Sequence, residues 1–135
     1  MEPKMTARIT RCFLLVSALG FLLIGINTFR DPLAALAGVE LAVNTVSALN
    51  ELRANYGGLQ IGMALFLLAG LFQPAMTRPA LLAQTLLVGG LAIGRLVSIG
   101  LDGAPNATVQ GLLVLESVTA LLSLALYSRN PSHGA

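Results

Sequence analysis

Asn50-Glu-Leu-Arg-Ala-Asn-Tyr-Gly-Gly-Leu-Gln-Ile-Gly62 sets Glu51 and Arg53, the hydroxyl of Tyr56, the amide of Gln60 and three glycines at the mouth of an apolar segment. If this stretch enters a lipid bilayer, each polar group needs a partner on another helix, and the rest of the chain can be sorted by whether it could supply one. Composition decides the solvent. Of 135 residues, 56% are hydrophobic and only 10% charged, too little polar surface to cover a soluble domain of this size. A hydrocarbon core about 30 Å thick takes about 20 apolar residues as helix, so the chain has room for roughly four spans in one domain. A membrane β-barrel would need period-two alternation, which is absent. The expected fold is all-α: an integral membrane four-helix bundle, with an extra interfacial helix between the first and second transmembrane helices.

Working outward, the spans are expected at residues 12–29, 50–72, 79–101 and 107–127, with the interfacial helix at residues 32–48. The first apolar run, Cys12 to Phe29, reads as a retained helix, because it is long for a signal-peptide core and no Ala-x-Ala-type site follows it. Asp31-Pro32 reads as an N-cap followed by proline at the first helical position. Glu40, Asn44, Ser47 and Glu51 recur at helical spacing and form one polar stripe, which makes this segment a lid helix lying over the bundle. Asn50 is expected to cap the second span, and Gln73-Pro74 and Arg78-Pro79 to break the chain before the third. Asn106-Ala-Thr108 matches a glycosylation sequon, but in so short a turn it reads as a helix cap.

Lys4, Arg8, Arg11, Arg78 and Arg129 fall on one side of the spans, against Arg30 and Arg53 on the other. The positive-inside rule then puts both termini in the cytoplasm, in what is expected to be a bacterial inner membrane. The net charge of +2 comes from scattered cations, which excludes a nucleic-acid footprint. The single Cys12 excludes an internal disulfide. With only His133 in the tail, it also excludes a Cys/His metal cluster. No cofactor is expected.

Two opposite charges fall inside the third and fourth spans at similar depth. Arg95 is on the order of 9 Å and Glu116 roughly 12 Å from the far end, by helical rise. A lone charge near the bilayer centre costs about 2.5–3.5 kcal/mol on insertion scales, so each is expected to find the other. Arg53, Tyr56 and Gln60 share a face of the second span, Arg95, Ser98 and Asp102 of the third, and Glu116, Thr119 and Ser123 of the fourth. Ser17, Gly20 and Asn27 add a weaker stripe on the first. These stripes predict one polar cleft open towards the far side. Gly58-x-x-x-Gly62 and Gly90-x-x-x-Gly94 predict close packing of the second and third spans.

Asn50-Glu-Leu-Arg-Ala-Asn-Tyr-Gly-Gly58, Gly-Leu-Ala-Ile-Gly-Arg95-Leu-Val-Ser98, Asp102-Gly and the helix bearing Glu116 together resemble a bacterial family of small four-helix membrane proteins, domain of unknown function 4345. The resemblance covers nearly the whole chain and implies a membrane fold with no established activity. The layout is also similar to the ergosterol-pathway membrane scaffold and to DoxX-type proteins. That scaffold has a histidine where Arg95 would align, and no clear counterpart of Glu116.

Function is expected to be non-enzymatic. No histidine lies in the spans, Ser98 has no neighbouring base of a usual kind, and there is no glycine-rich phosphate loop. The expected site residues are Arg53, Tyr56, Gln60, Arg95, Ser98 and Glu116, lining a cleft for a membrane lipid, a small amphiphile or a partner membrane protein, which includes a second copy in a homo-oligomer. The alternatives are a small proton-coupled transporter and an accessory subunit of a larger membrane complex. Arg95 and Glu116 can equally be a structural pin.

Overall fold

A computed structural model describes residues 3–130, so His133 lies outside the described residues. The helices run in the order α1 (Pro3–Arg30), α2 (Pro32–Leu36), α3 (Val46–Phe72), α4 (Pro74–Asp102) and α5 (Ala107–Arg129). Four of them, all but α2, are long and apolar enough to cross a membrane, and the described residues contain no strand. The protein is an all-α membrane bundle.

Local chemistry explains where the helices begin. Asp31, in extended backbone, accepts from Ala34 N at 3.1 Å, and Pro32 follows at the first helical position, where its missing N–H loses nothing. Thr45 does the same for α3, accepting from Ala48 N at 3.1 Å, so that this helix starts at Val46. Asn50, the expected cap, therefore lies inside α3. Asn106 caps α5 through Val109 N at 3.0 Å, as the sequon reading anticipated.

The extra helix between the first two spans is present but short. After α2 the chain makes a single 3₁₀ turn, Ala37–Val39. It reverses at Glu40 in the left-handed region (φ 58°) and then runs non-helically to Thr45. A side chain at positive φ costs about 1–2 kcal/mol, which marks Glu40 as a forced stop. One lid helix over residues 32–48 is thus corrected to a five-residue helix and a turn, and of its polar stripe Glu40 and Asn44 fall in non-helical chain while Ser47 and Glu51 lie in α3.

The expected break at Pro79 is also corrected. α4 begins at Pro74 and carries Pro79 within it. Only one backbone bond is lost there, to Ala75. The sharper consequence is at Pro74, whose missing N–H strands the carbonyl of Gly70 in the last turn of α3. The Thr77 hydroxyl replaces that donor at 2.8 Å. Gly70 has no side chain to obstruct the corner, where a Cβ would collide with Ala80 Cβ and come within 3.3 Å of the Met76 carbonyl.

The bundle is built from two helix pairs, α1 with α3 and α4 with α5. The side holding the start of α1 and the end of α5 is called near, and the opposite side far. The pairs join in the near half, where Leu14 and Ala18 of α1, Met63 and Leu67 of α3, Ala80 and Leu81 of α4 and Leu126 of α5 form one buried cluster. Between membrane helices such contacts act by dispersion and close fit, since lipid is as apolar as leucine. In the far half, α3 turns to α1 and α2 instead of α4. Gly25 and Gly57 permit that approach. A Cβ on Gly57 would lie 2.7 Å from the Phe29 ring, and one on Gly25 2.7 Å from Ile61 Cγ1.

The glycine pairs expected between the second and third spans do not face one another. Gly62, Gly90 and Gly94 lie on exposed faces with nothing within 4 Å of an added Cβ, and Gly58 meets only ordinary contacts near Phe29. The close α3/α4 contact is at Gly70 and Ala80, beside the tight turn.

Candidate functional site: a polar cleft in the far half

On α4, Leu81, Gln84, Val88 and Ala92 are buried at helical spacing, and Arg95 continues the same face. On α5, Glu116 begins the buried series Glu116, Ala120, Ser123 and Leu126. The two inward faces bring the charges together as a fork. Arg95 Nε donates to Glu116 Oε2 at 2.7 Å and Nη2 to Oε1 at 2.9 Å. Both carboxylate oxygens are engaged in short, charge-assisted bonds, the geometry that best offsets desolvation. The side chain of Glu116 is 11% exposed and that of Arg95 26%, so Arg95 is the more accessible partner.

The other expected site residues are distributed around this pair. Tyr56 is 41% exposed on α3. Gln60 is half-buried one helical turn further along α3. Arg53 is drawn elsewhere: its Nε donates to the Phe29 carbonyl at 3.2 Å, supplying a partner for the C-terminal end of α1. Ser98 bonds Asp102 Oδ2 on its own helix at 3.0 Å and stays exposed. The structure therefore joins Arg95 and Glu116, and it fastens Arg53 to Phe29 and Ser98 to Asp102.

Tyr56 lies in an irregular part of α3. Residues Arg53–Gly58 form a π-helical stretch inside α3. Such insertions rotate the residues that follow them and are frequent at functional sites. The paired glycines make the wider turn inexpensive, and Gly57 settles against Phe29.

The turn after α2 reaches across to the start of α5. Asn106 Nδ2 donates to the Gly38 carbonyl at 3.1 Å, while the same side chain's Oδ1 caps α5. A Cβ on Gly38 would stand 3.1 Å from Thr108 Cγ2. Residues 32–39 thus form a strap, anchored on the α1/α3 pair and fastened to α5.

Several polar contacts escaped the sequence reading. Gln84, fully buried, donates from Nε2 to Ser17 Oγ at 2.7 Å and joins the two helix pairs, while its Oε1 has no partner. Ser123 Oγ donates to the Leu81 carbonyl at 2.8 Å, and Asn130 Nδ2 to Thr10 Oγ1 at 3.0 Å. Arg78 stacks 4.2 Å above the Tyr127 ring at the near end. The signal for Gln84 was its position four residues before Val88 on the apolar face, where an amide needs a partner.

The family model described as Domain of unknown function (DUF4345) matches residues 9–127, and the chain belongs to that family. No curated protein and no solved structure matches it.

Proposed function

We propose that this protein is a non-enzymatic, multi-pass protein of the bacterial inner membrane that binds a lipid-like or small amphiphilic ligand in its far-half cleft. One observation carries the reading. The apolar cluster shared by all four long helices lies in the near half, while the far half holds a forked ion pair between α4 and α5 and a strap fastened to α5. Polar groups among apolar walls at that depth suit a molecule with a polar head and an apolar body. Arg53, fastened to the end of α1, and Ser98 at the end of α4 stand at the rim such a ligand would cross. The cation distribution supports both termini in the cytoplasm, with the cleft towards the outer leaflet.

The test is native mass spectrometry of protein extracted gently in a non-ionic detergent. A co-purifying amphiphile that is retained by the native protein and lost from Arg95→Met/Glu116→Leu supports the reading. An empty, monodisperse protein refutes it. Dye flux in proteoliposomes driven by a pH gradient, abolished by Glu116→Gln, would replace binding with transport. A reporter at the C-terminus that reads as periplasmic would overturn the orientation.

A further inference from the structure

We infer that the cleft selects its amphiphile by an acceptor head group, a carboxylate or a phosphate, held on the free edge of the Arg95 guanidinium. The inference rests on the binding reading above and adds the chemical class of the ligand. It follows from an inventory of donors and acceptors around the pair.

Arg95 spends one N–H on Nε and one on Nη2 in its bonds to Glu116. Both N–H groups of Nη1 and the second of Nη2 are left over, and a guanidinium has no acceptor to offer. Glu116 is the reverse case, with both oxygens held by Arg95 and its side chain the less exposed of the two. What the ion pair presents is therefore a set of donors on a charged plane.

A cationic head group held at the pair would need a free acceptor there, and both Glu116 oxygens are taken by Arg95. The other acidic residues of this half, Asp31, Glu40, Glu51 and Asp102, are exposed, with Asp102 bonded to Ser98 Oγ at 3.0 Å and Glu51 to Asn55 Nδ2 at 3.0 Å. The rim thus carries both signs, these carboxylates against Arg30 and Arg53, and the choice of head group falls to the pair itself. Glu116 then acts as a positioning residue. It orients the guanidinium so that its outer edge is presented, and it offsets the charge until a second acceptor arrives. Planar donors that recognise carboxylate and phosphate oxygens in pairs distinguish such a head from an ammonium.

The experiment titrates native protein in a non-ionic detergent with dodecanoate, dodecyl phosphate and dodecyltrimethylammonium separately, reading bound ligand by native mass spectrometry. Acetate and inorganic phosphate serve as chainless arms. The expected result is at least tenfold tighter binding of the two anionic amphiphiles than of the ammonium, with the chainless anions far weaker. Glu116→Gln, which keeps a hydrogen bond to Arg95 but frees its charge, should bind the anions several-fold more tightly. Arg95→Met/Glu116→Leu, neutral and well packed, should lose the preference for anions. A preference for the ammonium that disappears in Glu116→Gln would overturn the inference and leave the binding reading standing. Chainless anions bound as tightly as dodecyl phosphate would also overturn it, by placing a free ion in the site. If no chain of either charge binds, the binding reading itself falls.

Discussion

Replacing Glu116 by leucine should destabilise the bundle far more than replacing both partners of the ion pair. Two charge-assisted hydrogen bonds, at 2.7 and 2.9 Å, are removed from Arg95. Bonds to charged groups are typically worth about 1.5–3 kcal/mol each, and breaking a buried pair from one side costs about 3–5 kcal/mol. Arg95 is 26% exposed, so part of its charge remains solvated. From a depth on the order of 9 Å it can also reach towards the far interface, which recovers some of the loss. The net expectation for Glu116→Leu is about 2–3 kcal/mol. Arg95→Met/Glu116→Leu leaves no uncompensated charge and should fall within about 1 kcal/mol of the native protein. Reversible unfolding by sodium dodecyl sulfate in mixed micelles, run on the native protein, both single variants and the double, gives the coupling energy directly. Additive single effects, or a Glu116→Leu cost below about 0.5 kcal/mol, would show that the fork is not held as described.

Two other perturbations test the packing and the strap. Gly57→Val should fail to accumulate or lose more than about 2 kcal/mol in the same titration, because its side chain would enter the Phe29 ring. Gly62→Val and Gly94→Val, facing open space, should stay within about 0.5 kcal/mol. In a Cys12→Ser background, Gly38→Cys with Thr108→Cys should form a disulfide, because an ideal Cβ at residue 38 lies 3.8 Å from Thr108 Cβ, a spacing typical of such bridges. Oxidation should slow exchange of bound amphiphile several-fold at nearly constant affinity, and reduction should restore it. An oxidised protein that exchanges as fast as the reduced one would show that the strap does not gate the cleft.

The spans, the Asp31 and Asn106 caps and the meeting of Arg95 with Glu116 could all be read from the sequence, and for a common reason. Each depends on short-range chemistry or on depth along a helix, and helical rise converts residue number into depth without knowledge of neighbours. The lid shows where that approach stops. Glu40, Asn44, Ser47 and Glu51 fit a helical period, yet a period shows only that a helix would be amphipathic. Glu40 turns into the left-handed region and Thr45 caps a new helix at Val46, so the stripe is cut between them. Arg53 escaped for a different reason. Its helical face was legible, but a long side chain reaches whichever unpaired acceptor is near, and the carbonyl left free at Phe29 by the end of α1 is visible only once α1 and α3 are packed.

The glycines bring both limits together. Spacing alone made Gly58-x-x-x-Gly62 and Gly90-x-x-x-Gly94 look like facing surfaces, whereas the close approaches are made by Gly25, Gly57 and Gly70. A four-residue spacing fixes that two glycines share a face without fixing which way the face points. The π-helical stretch at Arg53–Gly58 changes that direction partway along α3, so the residues before and after it cannot both be placed by one helical wheel. The same stretch sets Gly57 against the Phe29 ring of α1. An irregular helix at this point thus commits the first part of α3 to α1, while the apolar cluster shared by all four long helices lies in the near half. Deleting one residue of the stretch should turn Gly57 away from Phe29 and lower stability in the same dodecyl sulfate titration, and an unchanged midpoint would show that the irregularity is not what brings α3 onto α1.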